Sequence, residues 1–152
     1  MIEVNERIEV PADVRTVWSL LSDPRAVVDC VPGASLGEQR DDGSYDATLV
    51  VRFGPAKVTF KARLVLDFDA ATMSGHVASR GRDDQGGTRI QASMNFRVEP
   101  QAEPAGSAIP IDARVEIAGK LATIVESGAG LVVKRMTKEF SERLAARLER
   151  SE

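Results

Sequence analysis

Along the first ten residues, Ile2, Val4, Ile8 and Val10 share one parity that only Glu6 interrupts, and this period of two predicts a strand over 2–10. After Pro11 the period lengthens: Val14, Val17, Trp18 and Leu21 fall at i, i+3, i+4 and i+7, the core stripe of an amphipathic helix. Asp23-Pro24 ends that helix, because proline disfavours helical geometry in the residue before it and suits a new first turn. A second, short helix is expected next, ended by Pro32-Gly33.

From about 35 to 118 the period returns to two. A short strand near 35–40 precedes Tyr45, Ala47, Leu49, Val51 and Phe53. After Gly54-Pro55, Val58, Phe60, Ala62, Leu64, Leu66 and Phe68 alternate in turn, which predicts a long hairpin. Met73, Gly75, Val77 and Ser79 form a weaker strand before the polar loop GRDDQGG. Ile90, Ala92, Met94, Phe96 and Val98 form the next, and the proline-rich loop EPQAEPAG leads to Ile109, Ile111, Ala113, Val115 and Ile117 in the seventh. From Lys120 to about Glu149 a helical stripe runs through Leu121, Ile124, Val125, Gly128, Leu131, Val132, Met136, Phe140, Leu144 and Leu148. Such a helix is about 45 Å long, so it must cross the whole sheet, with a bend or break expected near Gly128 and Gly130. The predicted architecture is α+β: one domain over 1–150, with a curved seven-stranded antiparallel sheet gripping a long C-terminal helix and two short helices after the first strand.

Composition narrows the function classes. With 152 residues, 43% hydrophobic and 28% charged, the chain suits one globular domain with a sizeable core. A net charge of -3 and no basic-aromatic motif argue against nucleic acid. One cysteine, Cys30, and one histidine, His76, exclude an intrachain disulfide and a Cys- or His-rich metal site, and fit a reducing compartment. MIEVNERIEV lacks the pattern of a secretory signal, and no apolar run approaches the ~18 residues of a membrane span, so a cytoplasmic location is expected.

Small residues recur at inward positions. If Gly54-Pro55 is a two-residue turn, Val51 faces Val58, Leu49 faces Phe60 and Ala47 faces Ala62, and continuing this register places Ser79 beside Ala62. Ala92, Ala113 and Gly128 add to the series. Either these residues let the helix sit close to the sheet or they leave a cavity, which can accept an apolar ligand. Periodicity leaves both open; the cavity is the reading favoured here.

Four segments carry a family resemblance: VWSLLSDP at 17–24, CVPGA at 30–34, RFGPAKVTFKA at 52–62 and AGKLA at 118–122. In these motifs the chain resembles the carbon monoxide dehydrogenase G-subunit family of the START-like (SRPBCC) superfamily. The resemblance implies a helix-grip fold around an apolar cavity and an accessory role beside a molybdenum hydroxylase of the aerobic carbon monoxide dehydrogenase type. It also implies membrane placement of the enzyme and a bound, non-covalent quinone. The membrane-anchoring extension that some members of that family carry has no counterpart in Arg150-Ser151-Glu152, so at most peripheral contact with the inner face of the membrane is expected. The residues expected around the cavity are Val27, Cys30, Val31, Ala47, Leu49, Phe60, Ala62, Leu64, Ala92, Met94, Phe96, Ala113, Leu121, Ile124, Val125, Gly128, Leu131 and Val132.

Catalytic and metal-ligating residues are not expected. Cys30 lacks a nearby base and reads as a small buried hydrophobe, and His76 has outward parity. Glu6 either meets the polar end of a ligand or sits at a bulge or exposed position. Arg52, Lys57, Lys61 and Arg63 share the outward face of the hairpin, where they form either a solvated face or a dock for a molybdenum hydroxylase or anionic lipid. Three roles stay open: a ligand carrier, a structural docking protein with a filled core, and a cofactor-independent enzyme of the polyketide cyclase/dehydratase type. The last would act on an apolar aromatic substrate with Glu6, Asp29 or another carboxylate as acid or base.

Overall fold

The computed structural model describes residues 1–85 and 87–151; Gly86 of the GRDDQGG loop, Glu152 and the side chains of Arg150 and Ser151 lie outside that description. In chain order the elements are β1 (Ile2–Val10), α1 (Val14–Leu21), α2 (Pro24–Val28), β2 (Ala34–Gln39), β3 (Tyr45–Phe53) and β4 (Ala56–Asp69). They continue with β5 (Ser74–Asp83), β6 (Thr88–Arg97), β7 (Glu99–Gln101), β8 (Gly106–Gly119) and α3 (Ala122–Ser151). One antiparallel sheet holds all the strands in the order β1-β8-β6-β5-β4-β3-β2, with β7 paired to β8 off this path. The first and last long strands are therefore neighbours.

Local chemistry explains the helix starts. The Asp13 carboxylate accepts the Thr16 N–H at 2.8 Å and caps α1, and this bond holds its pKa below the ordinary carboxylate value. Asp23 caps α2 in the same way, with Pro24 in the first turn. That helix is shorter than expected. It ends at Val28, and Cys30 and Val31 lie in tight turns whose N–H groups reach back only three residues, to the carbonyls of Val27 and Val28.

Four further details correct the expected organisation. The proline-rich loop contains an eighth strand, β7, whose edge position tolerates Pro100 and whose Glu99 and Gln101 receive hydrogen bonds from Arg7. β5 continues through Gly81, Arg82 and Asp83 of the supposed loop, since the buried Asp83 carboxylate accepts the Thr88 N–H at 2.7 Å and closes the turn from within. Ala62 pairs with Gly81, and Ser79 pairs with Leu64 instead. The turn after β4 spans the four residues 70–73, ending at Met73 with φ 49°, which moves the register two residues beyond the expected one. Lastly, α3 runs unbroken through both glycines. At Gly128 a side chain would press on the Phe53 ring at 3.2 Å, so the glycine serves close approach rather than bending.

Candidate ligand-binding site

The concave face of the sheet is packed at its two ends. At one end Ile8, Val10, Val17, Leu20, Cys30, Phe96, Val98, Ile109, Leu144 and Leu148 form a buried cluster under α1 and α2. Trp18, Phe68 and Phe96 border it with ring centroids 6.0 to 6.2 Å apart. Gly75 makes that contact possible, because a side chain there would strike the Phe96 ring and lie 2.8 Å from Phe68. At the other end Val51, Phe53, Val58 and Phe60 of the β3–β4 hairpin close on Val125 and Val132 of α3. The helix rests chiefly on β1, β8 and β3, spanning the middle of the sheet.

Between the clusters the inner face is left incompletely covered. One transverse row runs Tyr45, Leu64, Ser79, Ala92, Val115, Ile2, and the next runs Leu66, Val77, Met94, Ala113, Val4. Every residue in both rows is half-buried. Leu64, Leu66, Val77, Ser79, Ala92, Ala113 and Val115 belong to neither cluster, although each has inward parity. Alternation explains why these strands form, and Ala47, Ala62, Ala92 and Ala113 place only short, half-buried side chains on the inner face.

The expected cavity residues divide into three groups. Val27, Val31, Ala47, Leu49, Ala62, Leu64, Ala92, Met94, Ala113, Leu121 and Gly128 are half-buried. Cys30, Phe60, Phe96, Val125 and Val132 are buried within the clusters and form the ends of the open stretch rather than its walls. Ile124 and Leu131 are misplaced: they are 45% and 80% exposed. The buried stripe of α3 passes through Val125, Ala129, Val132, Leu144 and Leu148, so Ile124 and Leu131 stand one residue, about 100° of helical turn, off the packed face. Ala129 is missing from the expected stripe because alanine carries almost no periodic signal.

Few polar groups face this stretch. Tyr45 and Ser79 bring hydroxyls to one row, on either side of Leu64, and neither hydroxyl has a hydrogen-bond partner among the described residues. Sequence alternation marks Ser79 only as small. Glu6 keeps inward parity opposite Ile111 and borders a groove of about 390 Å³ with Lys134 and Lys138 of α3. Asp29 instead lies outside, bonded to Arg147 at 3.0 Å. Cys30 is 1% exposed and its thiol points to the Ala26 carbonyl at 3.7 Å, the packing role expected of it. His76 is exposed, as its parity indicates, with Nδ1 2.7 Å from Asn95 Oδ1. It lies in a polar groove of about 780 Å³ whose outward row is Asp67, His76, Asn95, Asp112, Asn5. Among the described residues no three metal-binding side chains gather, and no helix is long and apolar enough to cross a membrane.

A long helix held across a curved antiparallel sheet, with two short helices after the first strand, defines the START-like helix-grip class. Within that class the chain belongs to the CoxG family, the carbon monoxide dehydrogenase G-subunit family, whose model matches residues 7–149. Among solved structures it is similar to a conserved protein from Geobacillus kaustophilus, with 22% identity, 99% of this chain and 97% of that one covered, and a TM-score of 0.83. It is also similar to the Zhui aromatase/cyclase from Streptomyces sp. R1128, with 19% identity, 98% and 94% covered, and a TM-score of 0.62. A START superfamily protein from Mycobacterium smegmatis is 18% identical, with 99% of each chain covered and a TM-score of 0.61. These likenesses concern the fold. No curated protein matches the chain in sequence.

Proposed function

We propose that the protein is a non-catalytic carrier of an apolar small molecule, a prenylquinone, on behalf of a molybdenum hydroxylase of the aerobic carbon monoxide dehydrogenase type. The observation that carries this reading is the split core: two packed clusters with a half-buried apolar stretch between them. Membership of a family named for carbon monoxide dehydrogenase supports the choice of enzyme class, and the quinone is the ligand that the resemblance in the sequence motifs implies. The hydroxyls of Tyr45 and Ser79 suit such a ligand, because a quinone ring offers carbonyl acceptors while its tail needs only apolar walls.

The test is an organic extract of protein purified from its native host, analysed by mass spectrometry, with a short-chain prenylquinone then titrated into emptied protein. Trp18, the single tryptophan, reports binding through quenching of its fluorescence. A prenylquinone in the extract and saturable quenching support the carrier. Ser79→Ala then weakens binding by about threefold to tenfold, the worth of one hydrogen bond, and leaves melting unchanged. An empty extract together with no saturable quenching overturns the proposal.

A further inference from the structure

The outward face of β3 to β6 concentrates positive charge through its register. Arg52 lies opposite Lys57 on the hairpin; Lys61 faces Arg82, which in turn faces Arg89; Arg63 faces Arg80. All seven side chains are exposed. Among the described residues none of them has a salt-bridge partner, since the ion pairs belong to Arg7, Arg40, Arg97 and Arg147. Asp46, the acid opposite Arg63 on β3, is engaged by Arg40 at 2.9 Å.

Like charges directly opposite one another weaken a sheet, so four such pairings in one field work against folding. The chain as a whole is acidic, at -3, so the field is not a by-product of a basic composition. Three of its members, Arg80, Arg82 and Arg89, come from strands beyond the hairpin whose four cations the sequence singled out. A complementary negative surface relieves the repulsion.

We propose that this sheet face docks onto a carboxylate-rich surface of a partner protein. The proposal rests on the accessory role above and specifies where and how the partner is met. Two features favour a protein over an anionic membrane. Five of the seven cations are arginines, whose planar forks pair bidentately with carboxylates, whereas lysine is the more general point charge. In addition, the field presents no cluster of large apolar side chains for the acyl layer. Val65 stands alone at its border, and the exposed Ile124 and Leu131 belong to α3.

A photoreactive p-benzoylphenylalanine placed at Gln91, which pairs with Arg80 inside the field, tests this in the full chain expressed in its native host. The expected product is a cross-link to one protein at a peptide rich in Asp and Glu. Arg80→Glu combined with Arg82→Glu lowers its yield about tenfold or more, and reversing the captured acids to lysine restores it in that background. The double variant melts no lower than wild type, because the new glutamates face Arg63, Lys61 and Arg89, and its ligand content is unchanged. Photoproducts confined to lipid, no product at all, or a captured protein that charge reversal fails to rescue each overturn the proposal. So does flotation with vesicles holding about 30% phosphatidylglycerol that the same double variant abolishes. A ligand-free protein that still shows charge-swap rescue overturns the carrier alone, whereas a loaded protein without rescue overturns the docking face alone.

Discussion

Replacing Ala92 by leucine asks directly whether the centre of the sheet is open. Ala92 lies inward between Ser79 and Val115, half-buried and outside both clusters. Leucine adds three carbons, worth about 0.8 kcal/mol each when fully buried, and half burial leaves roughly 1 kcal/mol of stabilisation. For a domain of this size that is a rise of about 2–4 °C in melting temperature. In a close-packed centre the same carbons force strain of about 1–3 kcal/mol and lower the melting temperature by roughly 3–10 °C. Ala108, fully buried on β8, provides the matched control, and Ala108→Leu is expected to destabilise by that larger amount. Differential scanning calorimetry of the ligand-free proteins measures both. If Ala92→Leu melts as far below wild type as Ala108→Leu does, the centre is filled and the split-core reasoning fails. If it melts higher, the same variant should also take up less quinone, because the new side chain occupies the ligand's space.

Three further outcomes follow from local chemistry. Asp13→Ala lowers the melting temperature at neutral pH by removing the cap of α1; because the native pKa is depressed, that stabilisation is present above about pH 3.8 and is lost as pH falls through the native value, so the two melting curves converge in acid. Gly75→Ala drives a methyl into Phe96 and Phe68 and should cost about 1–3 kcal/mol in urea titrations, with most of the loss recovered when Phe96→Leu is added. Cys30 should react with a thiol reagent only at the rate of unfolding, so an immediate stoichiometric reaction in native buffer would contradict its burial.

The fold is legible because the chain changes period sharply, from two to 3.6 and back, at Pro11, Pro32-Gly33 and Gly119. Errors arise where a period carries no information. The length of the turn after β4 cannot be read from alternation, which therefore sets Ser79 rather than Gly81 beside Ala62. A shift of two preserves parity, which is why the inner and outer faces of the strands come out right all the same. The long helix shows the opposite failure. Its apolar positions are too numerous for one stripe, and only the contact with β1, β3 and β8 decides that Val125 and Val132 pack while Ile124 and Leu131 do not. The cationic face is half visible for the same reason: Arg52, Lys57, Lys61 and Arg63 share one hairpin, but joining Arg80, Arg82 and Arg89 to them requires knowing which strands lie side by side.

The pairing of Ile2 with Val115 has a consequence for synthesis. A ribosome delivers the N-terminal strand first, yet the slot it fills does not exist until β8, the last strand, has emerged. During translation the N-terminal strand must therefore wait with its backbone bonded only to water, and the sheet can seal only once β8 has been made.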